Sequence, residues 1–152
     1  MQTFLPYENF REAVSVLDRQ RLGKQRVETL QIAKSLMTDS GWSNHPATKM
    51  WANHLEALMA YQTATCNEWV NNRGYKDTCL LKTAELLSID PINQEDLSRD
   101  QLPDWLGMED FHASHRSNLL RKNIEWYGQF WPDEPDDLEY IWPSRIMELV
   151  RI

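Results

Sequence analysis

The sequence predicts an all-α fold, because apolar residues recur at helical spacing in several segments while no segment alternates apolar and polar residues as a half-buried strand does. At 152 residues, with 41% hydrophobic and 26% charged side chains, the chain is long enough to bury a core of its own. We therefore expect one compact domain over residues 1–152. It should be a bundle of about five helices with an irregular, aromatic-rich C-terminal segment.

Start and stop signals place these helices in order along the chain. Pro6 separates an extended start from the first helix, and Pro46, with Asn44 as a candidate cap, begins the third. An acidic stretch at 90–107 that contains two prolines is expected to be an irregular connection, and a short terminal helix is expected after Pro143. The first two predicted helices cover residues 8–17 and 19–37. The third begins at residue 46 and ends within residues 72–74, and the last two cover residues 76–87 and 109–121.

The net charge of −7 argues against a general nucleic-acid binder, because non-specific affinity comes mainly from Lys and Arg neutralising phosphates. The charge is unevenly distributed, with base concentrated at 19–26 and 116–122 and acid at 90–110 and 133–139. If the two basic runs meet in the fold, a locally positive cleft forms on an acidic body.

The chain lacks the usual signals for membranes and export. No apolar run approaches the roughly 18 residues that cross a membrane, and no basic segment leads into an apolar one at the start. Cys66 and Cys79 lack a CxxC spacing and are expected to be reduced thiols. We expect a soluble, cytoplasmic monomer that does not contact membranes and that is nucleoid-associated if it binds DNA.

A carboxylate among basic residues marks the predicted second helix. At 3.6 residues per turn, Arg21, Lys24 and Glu28 share one side, while an apolar stripe that includes Leu22 and Ala33 lies on another. An acid flanked by cations suits a general base acting beside a phosphate. It equally suits a solvated face with a weak Lys24–Glu28 ion pair.

Two further residues of this helix break its pattern. Arg26 projects from the apolar stripe, so its guanidinium must either pair with an acid inside the protein or reach an anionic ligand. Gly23 costs up to about 1 kcal/mol in a helix interior relative to alanine. A ligand that approaches the backbone and close helix packing are the two explanations for this glycine.

The predicted fifth helix carries the other candidate binding side chains. His112 and Arg116 share a face at i,i+4, and His115, Asn118 and Arg121 add further polar groups. These side chains suit contacts to phosphates or bases, and ordinary pairing within the protein is the alternative. Two nearby histidines could begin a metal site, but no HExxH, no cysteine pair and no third ligand follows, so we expect no metal.

His45 and the aromatic residues near the C-terminus have two interpretations each. His45 stands at the mouth of a predicted helix N-terminus, where backbone N–H groups favour an anion, and capping of that helix is the alternative. Trp126, Tyr127 and Trp131 provide either core aromatics or a platform on which a base stacks.

Taken in order, these segments resemble the pyrimidine-dimer DNA glycosylase family. Gln20-x-Leu22, with Glu28 following on the same helix, is similar to the family's catalytic helix. The similarity continues through the predicted long central helix with its cap and through a C-terminal segment, at residues 54–58, 73–75, 114–121 and 126–127. The chain is still more similar to a bacterial and phage branch that shares the sequences of residues 1–7, 21–28 and 120–122.

The resemblance implies a DNA glycosylase with coupled AP-lyase activity, in which the N-terminal amine attacks the sugar's anomeric carbon and a glutamate handles protons. Glu28 takes the glutamate's position, and the amine belongs to Met1, or to Gln2 if Met1 is removed. An α-amine is neutral more often than a lysine at cellular pH, and the imine it forms acidifies the neighbouring C–H. The implied partner is DNA with a nucleotide out of the stack, and no cofactor is implied.

The chain departs from the family pattern at three points. Gln2 stands where the family has a threonine that Met removal exposes, and its bulk should hinder that removal. Val27 stands where the family has an arginine, with Arg26 about 100° away around the helix. The acidic charge predicts weak, salt-sensitive scanning of bulk DNA, and it favours a narrower substrate such as single-stranded, modified or damaged DNA.

Three hypotheses for the function follow. The first is a DNA glycosylase and AP lyase. The second is an enzyme of the same scaffold acting on a free nucleotide or modified nucleoside, and the third is a non-catalytic module whose acidic 133–139 segment binds a basic protein. In the first hypothesis the substrate contacts come from Arg21, Lys24, Arg26, His45, His112, His115, Arg116, Asn118 and Arg121.

Overall fold

The structure is a computed structural model that describes residues 1–38 and 44–143. Within these residues it contains seven α-helices and no β-strand, which confirms the all-α prediction. The helices are α1 (Phe10–Ser15), α2 (Arg19–Met37), α3 (Pro46–Lys49), α4 (Leu55–Asn67), α5 (Cys79–Leu87), α6 (Glu109–Lys122) and α7 (Ile124–Tyr127).

The bounds of α2 are those predicted, but the predicted third helix is divided in two. After α3 ends at Lys49 the chain turns, and α4 begins at Leu55. The turn carries Trp51 into the core, where its indole N–H donates to Thr3 Oγ1 at 3.1 Å. The turn contains neither glycine nor proline, so no local signal in the sequence predicts it. It is associated instead with the tertiary contact of Trp51. A π-helical turn, Glu68–Asn72, continues α4.

The helix caps also differ from the prediction. Asn9 caps a first helix that is shorter than predicted, and its Oδ1 accepts from the Glu12 N–H at 2.9 Å. His45 rather than Asn44 caps α3, because its Nδ1 accepts from the Ala47 N–H at 3.0 Å. Capping, one of the two interpretations of His45, is therefore present.

The later elements follow the prediction more loosely. α5 begins at Cys79 rather than at residue 76, and the acidic connection contains two short 3₁₀ turns, Gln94–Asp96 and Arg99–Gln101. The helix predicted after Pro143 lies outside the described residues. In the part of the chain that is described, no helix is long and apolar enough to cross a membrane.

The core forms around α2 and α4. α2 packs against α4 and α5, and α1 packs against α4. Phe10, Trp51 and Tyr61 are fully buried, with ring centroids 5.5 Å apart for Phe10–Tyr61 and 5.9 Å for Trp51–Tyr61. Leu22 on the apolar stripe of α2 is also fully buried, whereas Glu28 is only half-buried. The polar side of α2 is thus left for a site.

Gly23 marks the point where α2 meets Trp69. A Cβ added at Gly23 would lie 3.1 Å from Trp69 Cη2. Of the two explanations for this glycine, the structure supports close packing.

Candidate active site

An open cavity of about 310 Å³ lies between the chain start, α2 and the C-terminal segment. α2 contributes Gln20, Arg21, Lys24 and Glu28 to its wall. The rest of the wall comes from Met1, Gln2, Phe4, His45, Lys122, Tyr140 and Trp142. Residues from both ends of the described chain therefore meet at one carboxylate.

The chain start reaches this cavity as a buried extended segment. Gln25 in α2 holds it at two points, because its Nε2 donates to Gln2 O at 2.8 Å and its Oε1 accepts from the Phe4 N–H at 2.9 Å. The Tyr61 O–H donates to Phe4 O at 2.6 Å. These buried hydrogen bonds fix the backbone of Gln2 and Phe4 beside α2, so the first amine is kept near this helix.

Glu28 receives a hydrogen bond from this segment. The Gln2 N–H donates to Glu28 Oε2 at 3.3 Å. Standard backbone dimensions place the Met1 α-nitrogen within about 4 Å of the Gln2 nitrogen, so amine and carboxylate can act on one bound group. Among the described residues Glu28 has no ion pair with the α-amine or with Lys24. The Lys24–Glu28 pair offered as an alternative is absent there.

His45 lies near the α-amine. Its Nδ1 accepts the Ala47 N–H, so the neutral ring carries its proton on Nε2. Burial and then the positive charge of the N-terminus lower the pKa of His45. At neutral pH the ring is therefore a neutral polar group and not a cation that attracts phosphate.

Two aromatic rings of the C-terminal segment complete the cavity. The Tyr140 and Trp142 centroids are 5.6 Å apart, and Trp142 meets the His45 ring edge-on at 6.0 Å. Burial raises the pKa of Tyr140 to about 12, so its hydroxyl stays protonated. Sequence reasoning missed both rings, because no local pattern links them to an N-terminal helix so far away in the chain.

Cations from two helices surround the carboxylate. Arg21 also pairs with Asp18 at 3.1 Å, whereas Lys24 and Lys122 have no ion-pair partner in the part of the chain that is described. The two basic runs of the sequence thus meet, and the cavity is locally positive on an acidic protein. Lys122 belongs to the second run but was not among the predicted contacts.

Comparison with known proteins assigns the family. The family model described as pyrimidine dimer DNA glycosylase matches residues 1–83, which is more than half of the chain and includes the amine, Glu28 and His45. The chain belongs to the pyrimidine dimer DNA glycosylase family. Its family is one of DNA repair enzymes, so DNA is the substrate class. No curated protein and no solved structure matches the chain.

Arg26 is not part of the cavity wall. Its guanidinium donates to Asp77 at 2.5 Å and lies over the Trp69 ring, 4.5 Å from the centroid. Burial alone would raise the pKa of Asp77, but hydrogen bonds from the Leu80 N–H and from Arg26 outweigh it and lower that pKa. An internal ion pair, the first of the two interpretations of Arg26, is therefore present.

Three further candidates, on α6, hold the chain start instead of lining the cavity. His115 Nδ1 accepts from the Leu5 N–H at 2.9 Å, His112 Nδ1 lies 2.7 Å from Leu5 O, and Arg116 donates to Pro6 O at 2.7 Å. All three side chains are buried, and burial lowers the pKa of His115 to about 3. Their contacts position the amine indirectly.

The remaining two candidates, Asn118 and Arg121, hold the segment that leads to Tyr140. Both donate to Leu138 O, at 3.1 and 2.7 Å, and Arg121 also donates to Asp136 O. Over residues 1–38 and 44–143 no group of three or more His, Cys, Asp or Glu side chains is arranged to hold a metal ion.

Proposed function

We propose that this chain is a DNA glycosylase and AP lyase that forms a Schiff base between its N-terminal amine and a damaged pyrimidine nucleotide, with Glu28 as the proton-transfer group. Membership of the family supports the glycosylase activity. The 3.3 Å hydrogen bond between the Gln2 N–H and Glu28 Oε2 is the contact that carries the proposal, because it brings the chain start to a carboxylate.

The proposed reaction needs only water and groups of the protein. The neutral amine attacks C1′, and the glycosidic bond breaks with its electron pair on the base, which takes up the proton that the amine loses. The nitrogen lone pair then forms an iminium with C1′ while the C1′–O4′ bond breaks, and O4′ takes a proton from water. Glu28 then removes a C2′ proton, a C2′–C3′ double bond forms and the 3′ phosphate leaves. Water hydrolyses the imine and restores the amine. The protein's own imine serves as the electron sink, so the scheme uses no cofactor.

The position of Glu28 suits this second step. Its Oε2 accepts the Gln2 N–H, and no other described group donates to its carboxylate, so Oε1 is left for a substrate proton. With Met1 retained, the reacting amine is one peptide unit beyond Gln2. If Met1 were removed, the Gln2 nitrogen itself would become the amine at 3.3 Å from the carboxylate.

The cavity walls suggest how a nucleotide binds. We propose that an unstacked base lies against Tyr140 and Trp142, since aromatic faces stack on bases without hydrogen-bond readout. Arg21, Lys24 and Lys122 would contact the phosphates. We propose a monomer acting on DNA in the cytoplasm, with affinity for bulk DNA limited by the net charge of −7.

Borohydride trapping tests this proposal. We expect covalent adducts with DNA that carries a thymine dimer and with DNA that carries an abasic site, and we expect reductive methylation of the α-amine to abolish both. If no adduct forms while thymidine 5′-monophosphate raises the melting temperature of the protein, the hypothesis of an enzyme acting on a free nucleotide replaces the proposed glycosylase and AP-lyase activity.

A further inference from the structure

We propose that a groove beside the cavity binds the single strand of nucleic acid that continues from the nucleotide in the cavity. This groove, hereafter the α2 groove, has a volume of about 740 Å³ and lies between the start of α2, Trp69 and Trp126. The inference rests on the proposed function, because it takes DNA as the occupant of the neighbouring cavity.

The α2 groove adjoins the cavity. Gln20 and Lys24 line both spaces, and they are one helical turn apart on α2. A strand that leaves the cavity past Lys24 therefore enters the groove without crossing the protein surface elsewhere.

The groove has unpaired positive charge. Its Arg73 is engaged by Glu68 at 3.1 Å and by the carbonyl of Leu17 at 2.8 Å, and its Asp18 is engaged by Arg21 at 3.1 Å. The charges of Arg73 and Asp18 are therefore neutralised by partners within the protein.

Arg19 and Lys24 remain. Both are exposed, and neither has an acidic partner in the residues that the structure describes. The guanidinium of Arg19 lies over the Tyr75 ring, 5.5 Å from its centroid. Two cations that line one groove of an acidic protein are complementary to a phosphate backbone.

The face that the groove offers to a base comes from Trp126, because Trp69 is already stacked on Tyr75 and contacted by Arg26. The Trp126 indole N–H donates to Val16 O at 2.7 Å, and the Trp69 indole N–H donates to Lys76 O at 2.9 Å. Both donors are therefore used within the protein. Trp126 is 36% exposed and its ring is held in place, so it can stack on a base of any sequence. Cations beside an aromatic platform favour a nucleic-acid strand over an acidic peptide.

Length-dependent binding tests the groove. Affinity is measured by fluorescence anisotropy for single strands with a central tetrahydrofuran abasic analogue, in lengths of about three and about eleven nucleotides. We expect Arg19→Ala and Trp126→Leu to weaken binding of the longer strand about fivefold or more and to leave the shorter strand unchanged. For the longer strand, the logarithm of the binding constant falls with the logarithm of the salt concentration. Arg19→Ala should make the slope of this line shallower by about 0.7, which corresponds to one lost phosphate contact.

Two controls separate stacking from stability. Trp126→Phe loses the hydrogen bond to Val16 as Trp126→Leu does, but it keeps an aromatic face, so it should retain most of the affinity. Arg99→Ala removes an exposed arginine outside the groove and should not change the affinity for either strand.

Three results would overturn the inference. They are equal loss for both strand lengths, equal affinity of Trp126→Phe and Trp126→Leu, and binding of a poly-aspartate peptide as tight as that of the longer strand. None of these measurements needs catalysis, so a failure of the proposed Schiff-base chemistry would be seen separately, by trapping.

Discussion

Gln2 and Glu28 are joined across the cavity by a 3.3 Å hydrogen bond from the Gln2 N–H to Glu28 Oε2. The Gln2 carbonyl is in turn held by Gln25, from the same helix as Glu28. A residue held at both its N–H and its C=O has little freedom, so the amine that precedes it is confined near the carboxylate. The proposed catalytic arrangement therefore depends on backbone contacts of an extended segment.

Glu28→Gln tests the role of the carboxylate. The amide keeps the size of the side chain and an oxygen for the Gln2 N–H, but it cannot accept the C2′ proton. We expect cleavage of abasic DNA to fall by about a hundredfold or more, with DNA binding nearly unchanged. Glu85→Gln, on the exposed surface of α5, is the matched control and should cleave normally. Near-normal cleavage by Glu28→Gln would remove Glu28 from the mechanism.

Arg26→Leu tests whether this arginine is structural. Its guanidinium pairs with the nearly buried Asp77, so the substitution leaves a carboxylate without its partner. We expect the free energy of unfolding in urea to fall by about 3 kcal/mol and the double variant Arg26→Leu/Asp77→Leu to recover part of it. Cleavage per folded molecule should not change. A specific loss of cleavage in the single variant, with normal stability, would instead indicate a contact to DNA.

Gly23→Ala tests the contact with Trp69. Alanine gains about 1 kcal/mol in helix propensity, but its Cβ would lie 3.1 Å from a ring that is bonded to Lys76 O and stacked on Tyr75 at 4.2 Å. Because this ring cannot yield easily, we expect a net loss of about 1 kcal/mol in unfolding free energy. In a Trp69→Leu background the same substitution should be stabilising. Stabilisation in the native background would show that the ring moves freely.

The buried His115 predicts a loss of stability in acid. Its pKa is lowered from the usual 6.5 to about 3 by burial, so the unfolded chain binds a proton before the folded chain does. The stability it contributes is complete above pH 6.5 and is lost as pH falls toward 3, by up to about 1.4 kcal/mol for each pH unit. His115→Asn keeps an acceptor for the Leu5 N–H without titrating. Its unfolding free energy should fall less steeply between pH 6.5 and 4, and parallel curves would contradict this account.

Local patterns predicted α2 and the side of it that carries Arg21, Lys24 and Glu28, because helical periodicity depends only on neighbours in sequence. The pattern could not supply partners from distant segments. Arg26 finds Asp77 far along the chain, and the rings of Tyr140 and Trp142 reach the cavity only through the tertiary fold.

The candidates on α6 show that local sequence patterns also suggest binding residues that the fold buries. Histidine and arginine on a helix suit phosphate contacts, and the sequence cannot tell that His112, His115 and Arg116 are buried against the carbonyl and N–H groups of the chain start. Their role depends on an extended segment with no periodic signal.

The central claim is that the first amine of the chain becomes covalently bound to the sugar of damaged DNA. The most direct test is borohydride reduction of the protein with abasic DNA, followed by nuclease and protease digestion and tandem mass spectrometry of the modified peptide. We predict that the sugar remnant is found on the α-nitrogen of Met1, or on that of Gln2 if the intact mass shows that Met1 is removed. A remnant on a lysine side chain, or no covalent remnant from a protein that cleaves abasic DNA, would contradict the account.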